Sequence, residues 1–284
     1  MSAGLAVPRR CPLCGGSARD VALRHPDGVL ARCRGCGLVS VDPLPASDLA
    51  LRQYDEAYFR GEGYRDYVAE ERAFRGVFRR RLARLRAFGA RGSLLDVGAA
   101  TGAFLAEAAA AGFVAAGVEP SAWAAEVARG RGFDVVTGPV EALDATRGPF
   151  DVVTSFDVVE HLVDPLAGVR TLVRHARPGG LVAVTVPDFG GWWARWSGAR
   201  WPFVTPKEHL HYFTRRTLRV LFEAAGLRVR EVSLATTPLS LGTALSKGLG
   251  AAGAAAARAL GRLADRGGAL PFGTLLAIGQ RPPA

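Results

Sequence analysis

Three groups of residues in this 284-residue sequence have the types and spacing to do chemistry. The first is Cys11-Pro-Leu-Cys14 with Cys33-Arg-Gly-Cys36, which together hold all four cysteines. Two C-x₂-C pairs separated by eighteen residues fit the spacing of a tetrahedral zinc site. Gly15 and Gly37, one residue beyond each pair, permit the tight turn that points two thiolates at one ion. Four thiolates close the coordination shell, so such a zinc would be structural. Matched pairs and the lack of an export leader favour zinc over two disulfides or a redox dithiol. The second group is the loop D-V-G-A-A-T-G (96–102), an acid followed by two glycines that let a backbone turn and approach a ligand. The third is Asp157, Glu160 and His161, with Glu208-His209-Leu210-His211 some fifty residues later.

Stepping outward, alternating segments must position these groups. Residues 20–32 read as two short strands around the turn Pro26-Asp27-Gly28, which together with the cysteines describes a zinc ribbon over 8–44. V-D-P-L-P-A-S-D (41–48) is a proline-punctuated connector. Residues 45–90 then hold Y-D-E-A-Y-F and an amphipathic helix from about Asp66 to Phe88, with Phe74, Val77, Phe78, Leu82 and Leu85 at helical spacing. From 91 to 284 the pattern alternates. Strands are expected at 93–97, 114–118, 133–137, 151–155, 181–186, 227–234 and 274–280. Helices are expected at 102–111, 121–130, 164–176 and 214–225, with Asp164-Pro165 as an N-cap pair. Such alternation implies an α/β fold with a doubly wound, mainly parallel, seven-stranded sheet. The loop at 96–102 follows the first strand of the series, where open α/β sheets bind ligands. Glu119 ends the second strand, about twenty residues on, and an acid there can accept both hydroxyls of a ribose.

The loop lacks the lysine of a P-loop, and Ala100 and Ala103 stand where a dinucleotide loop has glycine. D-V-G-A-A-T-G resembles instead the D-x-G-x-G-x-G loop of class I S-adenosylmethionine-dependent methyltransferases. V-E-P-S (118–121), P-F-D-V-V-T-S-F-D-V-V-E-H-L (149–162) and A-R-P-G-G-L-V-A-V-T-V-P (176–187) resemble that family in the same order. The likeness covers roughly 54–234 and 273–281. It implies a Rossmann-like fold and S-adenosylmethionine as cofactor. Asp96 would position the methionine end, Gly98, Ala100 and Gly102 would give main-chain contacts, and Glu119 would hold the ribose, with Pro120 and Asp157 completing the contacts. Ala100 fits if its φ is negative, since a left-handed conformation would demand glycine. Pro139 stands where the family often has an adenine-binding acid.

For the reaction, His161 is suited to accept a hydroxyl proton. The D-x-x-E-H pattern with a distant histidine also resembles the metal-binding E-x-x-E-H plus His of small-RNA 2′-O-methyltransferases and some ubiquinone-pathway O-methyltransferases. That resemblance implies Glu160, His161 and His209 around a divalent ion such as magnesium, with Asp157 a shorter stand-in for the first Glu. The competing reading has the acids capping or pairing locally and His161 packed in the core. G-G-W-W-A-R-W-S-G-A-R-W-P-F (190–203) holds four of five tryptophans between arginines, either an acceptor-binding insertion or a hydrophobic lid.

The net charge of +10 is polarised: residues 91–190 carry −5 and residues 191–284 carry +9, with 34 Arg against two Lys. The expected function is O-methylation of a sugar or natural-product small molecule, since the layout resembles a bacterial subgroup with such acceptors. An RNA methyltransferase and a ribbon-bearing interaction protein with a degenerate cofactor site are the alternatives. The N-terminal stretch has no apolar core of leader length and no segment is apolar enough to span a membrane, so the expectation is a cytoplasmic chain. The Ala-rich helix expected near 244–264 reads as a packing helix, with a membrane-surface helix as the alternative. Oligomeric state has no signature in the sequence.

Overall fold

The computed structural model describes residues 10–45, 67–139, 143, 147–240, part of 253–261, and 267–283. The motif Y-D-E-A-Y-F and most of the segment 241–264 lie outside the described residues.

Strands β1 (Arg19–His25), β2 (Gly28–Cys33) and β3 (Val39–Asp42) form an antiparallel meander at the N-terminus. The turn at residues 26–27 joins the first two, as the Pro-Asp-Gly signal requires. Helix α1 (Tyr67–Ala87) follows and buries Phe74, Val77, Phe78, Leu82 and Leu85, the expected stripe. The alternating series then runs β4 (Ser93–Val97), α2 (Ala103–Ala110), β5 (Val114–Glu119), α3 (Ala122–Gly130), β6 (Asp134–Thr137), β7 (Phe150–Phe156), α4 (Pro165–His175) and β8 (Ala176–Pro187). It ends with α5 (Trp192–Ser197), β9 (His211–Tyr212), α6 (Arg215–Ala224), β10 (Arg228–Ser240) and β11 (Gly267–Gln280). The caps are legible chemistry. Ser121 accepts the Ala124 N–H, Asp164 accepts the Ala167 N–H ahead of Pro165, and Thr214 and Thr217 form a reciprocal capping box.

Seven strands make the main sheet in the order β10-β11-β8-β7-β4-β5-β6. The five from β8 to β6 are parallel; β11 and β10 add antiparallel at the edge. Helices pack on both faces: α1 and α2 join one core with Leu94, Ala183 and Ile278, while α4 and α6 join the other with Val153, Val184 and Leu275. This is the doubly wound, Rossmann-like arrangement expected from the strand–helix alternation.

The N-terminal meander is not an isolated module. Strand β9, far along the chain, pairs antiparallel with β3 and completes a four-stranded sheet in the order β1-β2-β3-β9. Cys11, Leu13, Cys33, Cys36 and Leu38 share a core with Phe213, Leu218 and Leu221. Among the described residues no helix is long and apolar enough to cross a membrane.

Candidate functional site

The carboxyl ends of β4, β5, β7 and β8 gather the charged groups. Asp96 sits on β4, fully buried, with its Oδ1 accepting the Thr154 hydroxyl of β7 at 2.6 Å. Burial pushes its pKa up to about 7, against the stabilising Thr154 hydrogen bond. Glu119 ends β5. Its Oε2 accepts the Ala100 N–H at 2.8 Å and its Oε1 the Ser121 N–H at 2.9 Å, and burial raises it also to about 7. The carboxylate of the second strand therefore fastens the glycine loop of the first.

Within that loop Gly98 has φ 85, and a Cβ there would lie 2.4 Å from Val158 Cγ2, so both conformation and space demand glycine. Gly102 has φ 80 and opens α2. Ala100 has φ 46, left-handed, so it does not take the negative value at which an alanine fits this loop without strain. The hydrogen bond to Glu119 holds it there, at a conformational cost of about 1 kcal/mol for a residue with a Cβ. Ala100→Gly is accordingly expected to raise the stability of the cofactor-free protein by about 0.5–1 kcal/mol without weakening cofactor binding. Chemical denaturation and calorimetry would show it, and a loss of stability would contradict the strain argument. The loop is also fastened from the N-terminal side, where the Thr101 hydroxyl donates to Glu71 of α1 and Arg131 pairs with the same carboxylate at 2.9 Å.

Beyond β7, Asp157 takes φ 58. Its Oδ1 accepts the Thr185 hydroxyl at 3.1 Å, and its Oδ2 lies 3.3 Å from the Arg81 guanidinium. Arg81 comes from α1, is buried, and stacks 4.6 Å over the Phe156 ring. Nothing in the sequence separates it from the seven other arginines of residues 61–90, so sequence reasoning missed it.

The next turn, Val159–His161, is a single 3₁₀ turn and carries Glu160 and His161. The pairing expected between this turn and a distant histidine is present. One donor atom from each of Glu160, His161 and His209 lies within 4.8 Å of the others, and the two imidazole centroids are 4.8 Å apart. Glu160 is fully buried, and among the described residues neither carboxylate oxygen has a hydrogen-bond partner. Burial first, and the Asp157 charge second, raise its pKa well above the ordinary value. Burial holds the His161 ring neutral, its pKa lowered to about 3. His161 Nδ1 meets the Glu208 carbonyl at 2.9 Å and His209 Nδ1 meets the Phe203 carbonyl at 2.8 Å. In a neutral ring each of those bonds places the proton on Nδ1. A buried carboxylate lacking donors beside two imidazoles is the chemistry of a cation site, which a divalent ion would satisfy.

Two expected members fall outside this group. Asp157 faces Arg81 and Thr185 and does not join the donor cluster, because its left-handed backbone turns it toward α1 and β8. His211 is a structural residue: its ring bonds Ser40 Oγ at 2.8 Å and the Val163 carbonyl at 3.3 Å. The tryptophan segment divides between the two readings given it, since Trp201 is core whereas Trp192 and Trp196 are exposed. Asp188, at the carboxyl end of β8, was not singled out by its spacing. It is buried, and its Oδ1 accepts the Gly190 N–H.

In the N-terminal meander all four cysteines are free thiols with one Sγ from each within 4.8 Å of the rest. The Cys11–Cys36 and Cys14–Cys33 sulfurs are 3.6 and 3.5 Å apart, far beyond the bonded distance of about 2.05 Å. The two turns converge as the spacing implied.

Residues 68–232, more than half the chain, match the family described as Methyltransferase domain. Among curated relatives, a ubiquinone biosynthesis O-methyltransferase of Caulobacter vibrioides is 34% identical over 99 residues, covering 32% of this chain and 39% of that protein. The enzyme of the same name from Bordetella pertussis is 34% identical over 96 residues, covering 31% and 40%. The chain thus spans about two fifths of the length of the curated relatives it matches. Among solved structures, a Thermotoga maritima S-adenosylmethionine-dependent methyltransferase, described as a possible histamine N-methyltransferase, superposes with a TM-score of 0.53. Its identity is 18%, over 83% of this chain and all of that one. The Synechocystis magnesium protoporphyrin IX methyltransferase with bound S-adenosylhomocysteine gives 0.51 at 14% identity, over 79% and 96%. With the fold, the loop and the matched region in agreement, the chain belongs to the methyltransferase-domain family.

Proposed function

We propose that the protein transfers the methyl group of S-adenosylmethionine to a hydroxyl oxygen of a small molecule, with a divalent ion held by Glu160, His161 and His209. The observation that carries this reading is the buried Glu160 carboxylate, without hydrogen-bond donors and within 4.8 Å of donor atoms on both histidines. The names of the curated relatives, ubiquinone biosynthesis O-methyltransferases, support oxygen as the acceptor atom. A ligand set with two imidazoles suits manganese, iron or zinc better than magnesium, which prefers oxygen donors. When bound, such an ion supplies Lewis acidity toward an acceptor hydroxyl. The chain's own contribution is alignment. Displacement at the sulfonium carbon needs donor and acceptor in line, and the carboxyl ends of β4 and β7 put the cofactor loop beside the 159–161 turn. Methyl transfer from labelled S-adenosylmethionine to catechols, sugars and RNA, with and without manganese, tests the reading. Metal-independent turnover, or transfer to RNA alone, would overturn it.

On the cofactor side, Asp96 positions the methionine end, Glu119 accepts the ribose hydroxyls, and Gly98, Ala100, Gly102, Pro120 and Asp157 complete the contacts. The raised pKa values of Asp96 and Glu119 set the sign of a pH effect. An acid whose folded pKa is raised to about 7 favours the folded state fully below its ordinary pKa, and that contribution is lost as pH rises through 7. The cofactor-free protein is therefore expected to lose melting temperature between about pH 4 and pH 8. Ribose hydroxyls donating to Glu119 require its ionised form, so cofactor affinity is expected to rise over the upper part of that range with release of protons. Calorimetry in buffers of different ionisation enthalpy measures the release; proton uptake would remove Glu119 from this role.

The four cysteines are proposed to hold a structural zinc, making residues 8–44 a zinc ribbon before a connector (45–90) and the methyltransferase domain (91–284). The converging free thiols support it. One tightly bound zinc per chain, found under reducing conditions, is the expected result.

A further inference from the structure

Helix α5, just beyond the carboxyl end of β8, presents its large apolar side chains to water. Its inward side is made by Ala194, buried, and Trp193, half-buried, which share a core with Trp201 and Phe203. Its outward side carries Trp192, Arg195 and Trp196, the i, i+3 and i+4 positions of one helix face. Trp196 keeps 82% of its surface exposed and Trp192 keeps 65%. A helix that served only the core would turn its bulkiest apolar residues inward. The exposed face extends beyond α5, because Trp192 lines one cavity with Leu234 of β10 and Arg216 of α6, both exposed.

The charge around these rings has one sign. Within residues 188–219 the acids are Asp188, which is buried, and Glu208, which is half-buried. Asp188 offsets Arg215, and Asp27 offsets Lys207 at 2.8 Å. That leaves Arg195, Arg200, Arg216 and Arg219 exposed in this stretch with no exposed acid among them. Exposed indoles set between arginines match one kind of surface. An indole ring rests at the boundary of a bilayer, its body toward hydrocarbon and its N–H at headgroup level. Arginine beside it lays its stem on apolar surface and its guanidinium on lipid phosphates. Single-stranded nucleic acid would use the same rings for stacking, but it gains nothing from an exposed leucine such as Leu234.

We infer that this face docks on an anionic phospholipid surface. Trp192, Trp196 and Leu234 enter the headgroup layer, and Arg195, Arg200 and Arg216 meet the lipid phosphates around them. The chain then lies on the bilayer without crossing it, and the cavity lined by Trp192 and Leu234 is brought to the membrane surface. Docking of this kind needs neither methyl donor nor divalent ion, so it stands apart from the methyl-transfer reading.

The test is flotation of the full chain with two kinds of vesicle: phosphatidylcholine containing about 30% phosphatidylglycerol, and phosphatidylcholine alone. Binding to the anionic vesicles is expected, at least about tenfold tighter than to the neutral ones. Brominated phosphatidylcholine in the anionic vesicles is expected to quench tryptophan emission. Trp192→Ser with Trp196→Ser is expected to weaken vesicle binding by at least about tenfold and to remove most of that quenching. Trp196→Ser alone, at the more exposed position, is expected to cost at least about threefold with an unchanged melting temperature. Arg195→Glu with Arg200→Glu is expected to weaken binding to anionic vesicles by at least about tenfold and to leave the neutral ones unaffected. No flotation, equal binding to neutral vesicles, or binding indifferent to these substitutions would overturn the inference. So would binding of single-stranded RNA in place of vesicles, or a dimer seen by light scattering, if Trp196→Ser removes it, since the face would then serve nucleic acid or a second copy of the chain.

Discussion

Replacing Glu160 with glutamine is expected to abolish divalent-ion binding and to lower turnover by at least about 100-fold, while the protein becomes no less stable. The two halves of that expectation come from the same observation. A buried carboxylate normally repays its desolvation through hydrogen bonds, and both oxygens of Glu160 lack them. The group therefore burdens the fold by about 1–3 kcal/mol, and a neutral amide of the same shape relieves part of it. A side chain retained for packing would behave in the opposite way: its replacement would lower the melting temperature and leave turnover per folded molecule intact. The measurements are manganese affinity by equilibrium dialysis, turnover at saturating cofactor, and thermal unfolding. Cofactor affinity serves as the control, expected within about twofold of wild type because Asp96 and Glu119 lie on β4 and β5 and share no hydrogen bond with Glu160. Full turnover with lost metal binding would return the histidines to a structural role.

The site was legible in the sequence wherever local order decides position. Asp96, Glu119 and Glu160 sit at or just beyond strand ends, and strand ends follow from alternating apolar runs and the turns that stop them. The Asp164-Pro165 cap and the Pro26-Asp27-Gly28 turn were readable for the same reason. Three things were not. The left-handed φ of Ala100 accompanies a hydrogen bond that its N–H donates to a carboxylate nineteen positions away, and nothing about an alanine announces it. The burial of Arg81 depends on which face of α1 meets Phe156, and many arginines of that helix could have been the one. The exclusion of Asp157 from the donor cluster depends on its own positive φ, where the motif spacing alone suggested a ligand. Each of these is a tertiary decision laid over a pattern that reads equally well without it.

The pairing of β3 with β9 is the least legible contact, and it ties the cysteine cluster to the candidate metal site. Ser40 pairs with His211 and Val39 with Tyr212, the Val41 N–H donates to the Leu210 carbonyl at 2.9 Å, and the Leu210 N–H donates to the Glu160 carbonyl at 2.8 Å. His209 is the neighbour of that doubly held residue. On the cysteine side, the Cys33 N–H donates to the Leu38 carbonyl, one residue before β3 begins. The segment carrying His209 is therefore registered from one side by the turn of Glu160 and from the other by the cysteine meander. Removing the proposed zinc with a strong chelator, or replacing Cys33 with serine, is expected to lower turnover by at least about tenfold through loss of His209 placement. Cofactor affinity is expected to stay within about threefold, because β4 and β5 share no strand with the meander sheet. Ser40→Ala, which deletes only the 2.8 Å contact to His211, provides a milder version that keeps all four thiols. It is expected to weaken manganese binding by about threefold, the low end of what a supporting contact contributes. A zinc-free protein with full turnover would show that the meander and the site are independent. Equal losses of cofactor binding and turnover would make the metal a general support of the fold, not a brace for His209.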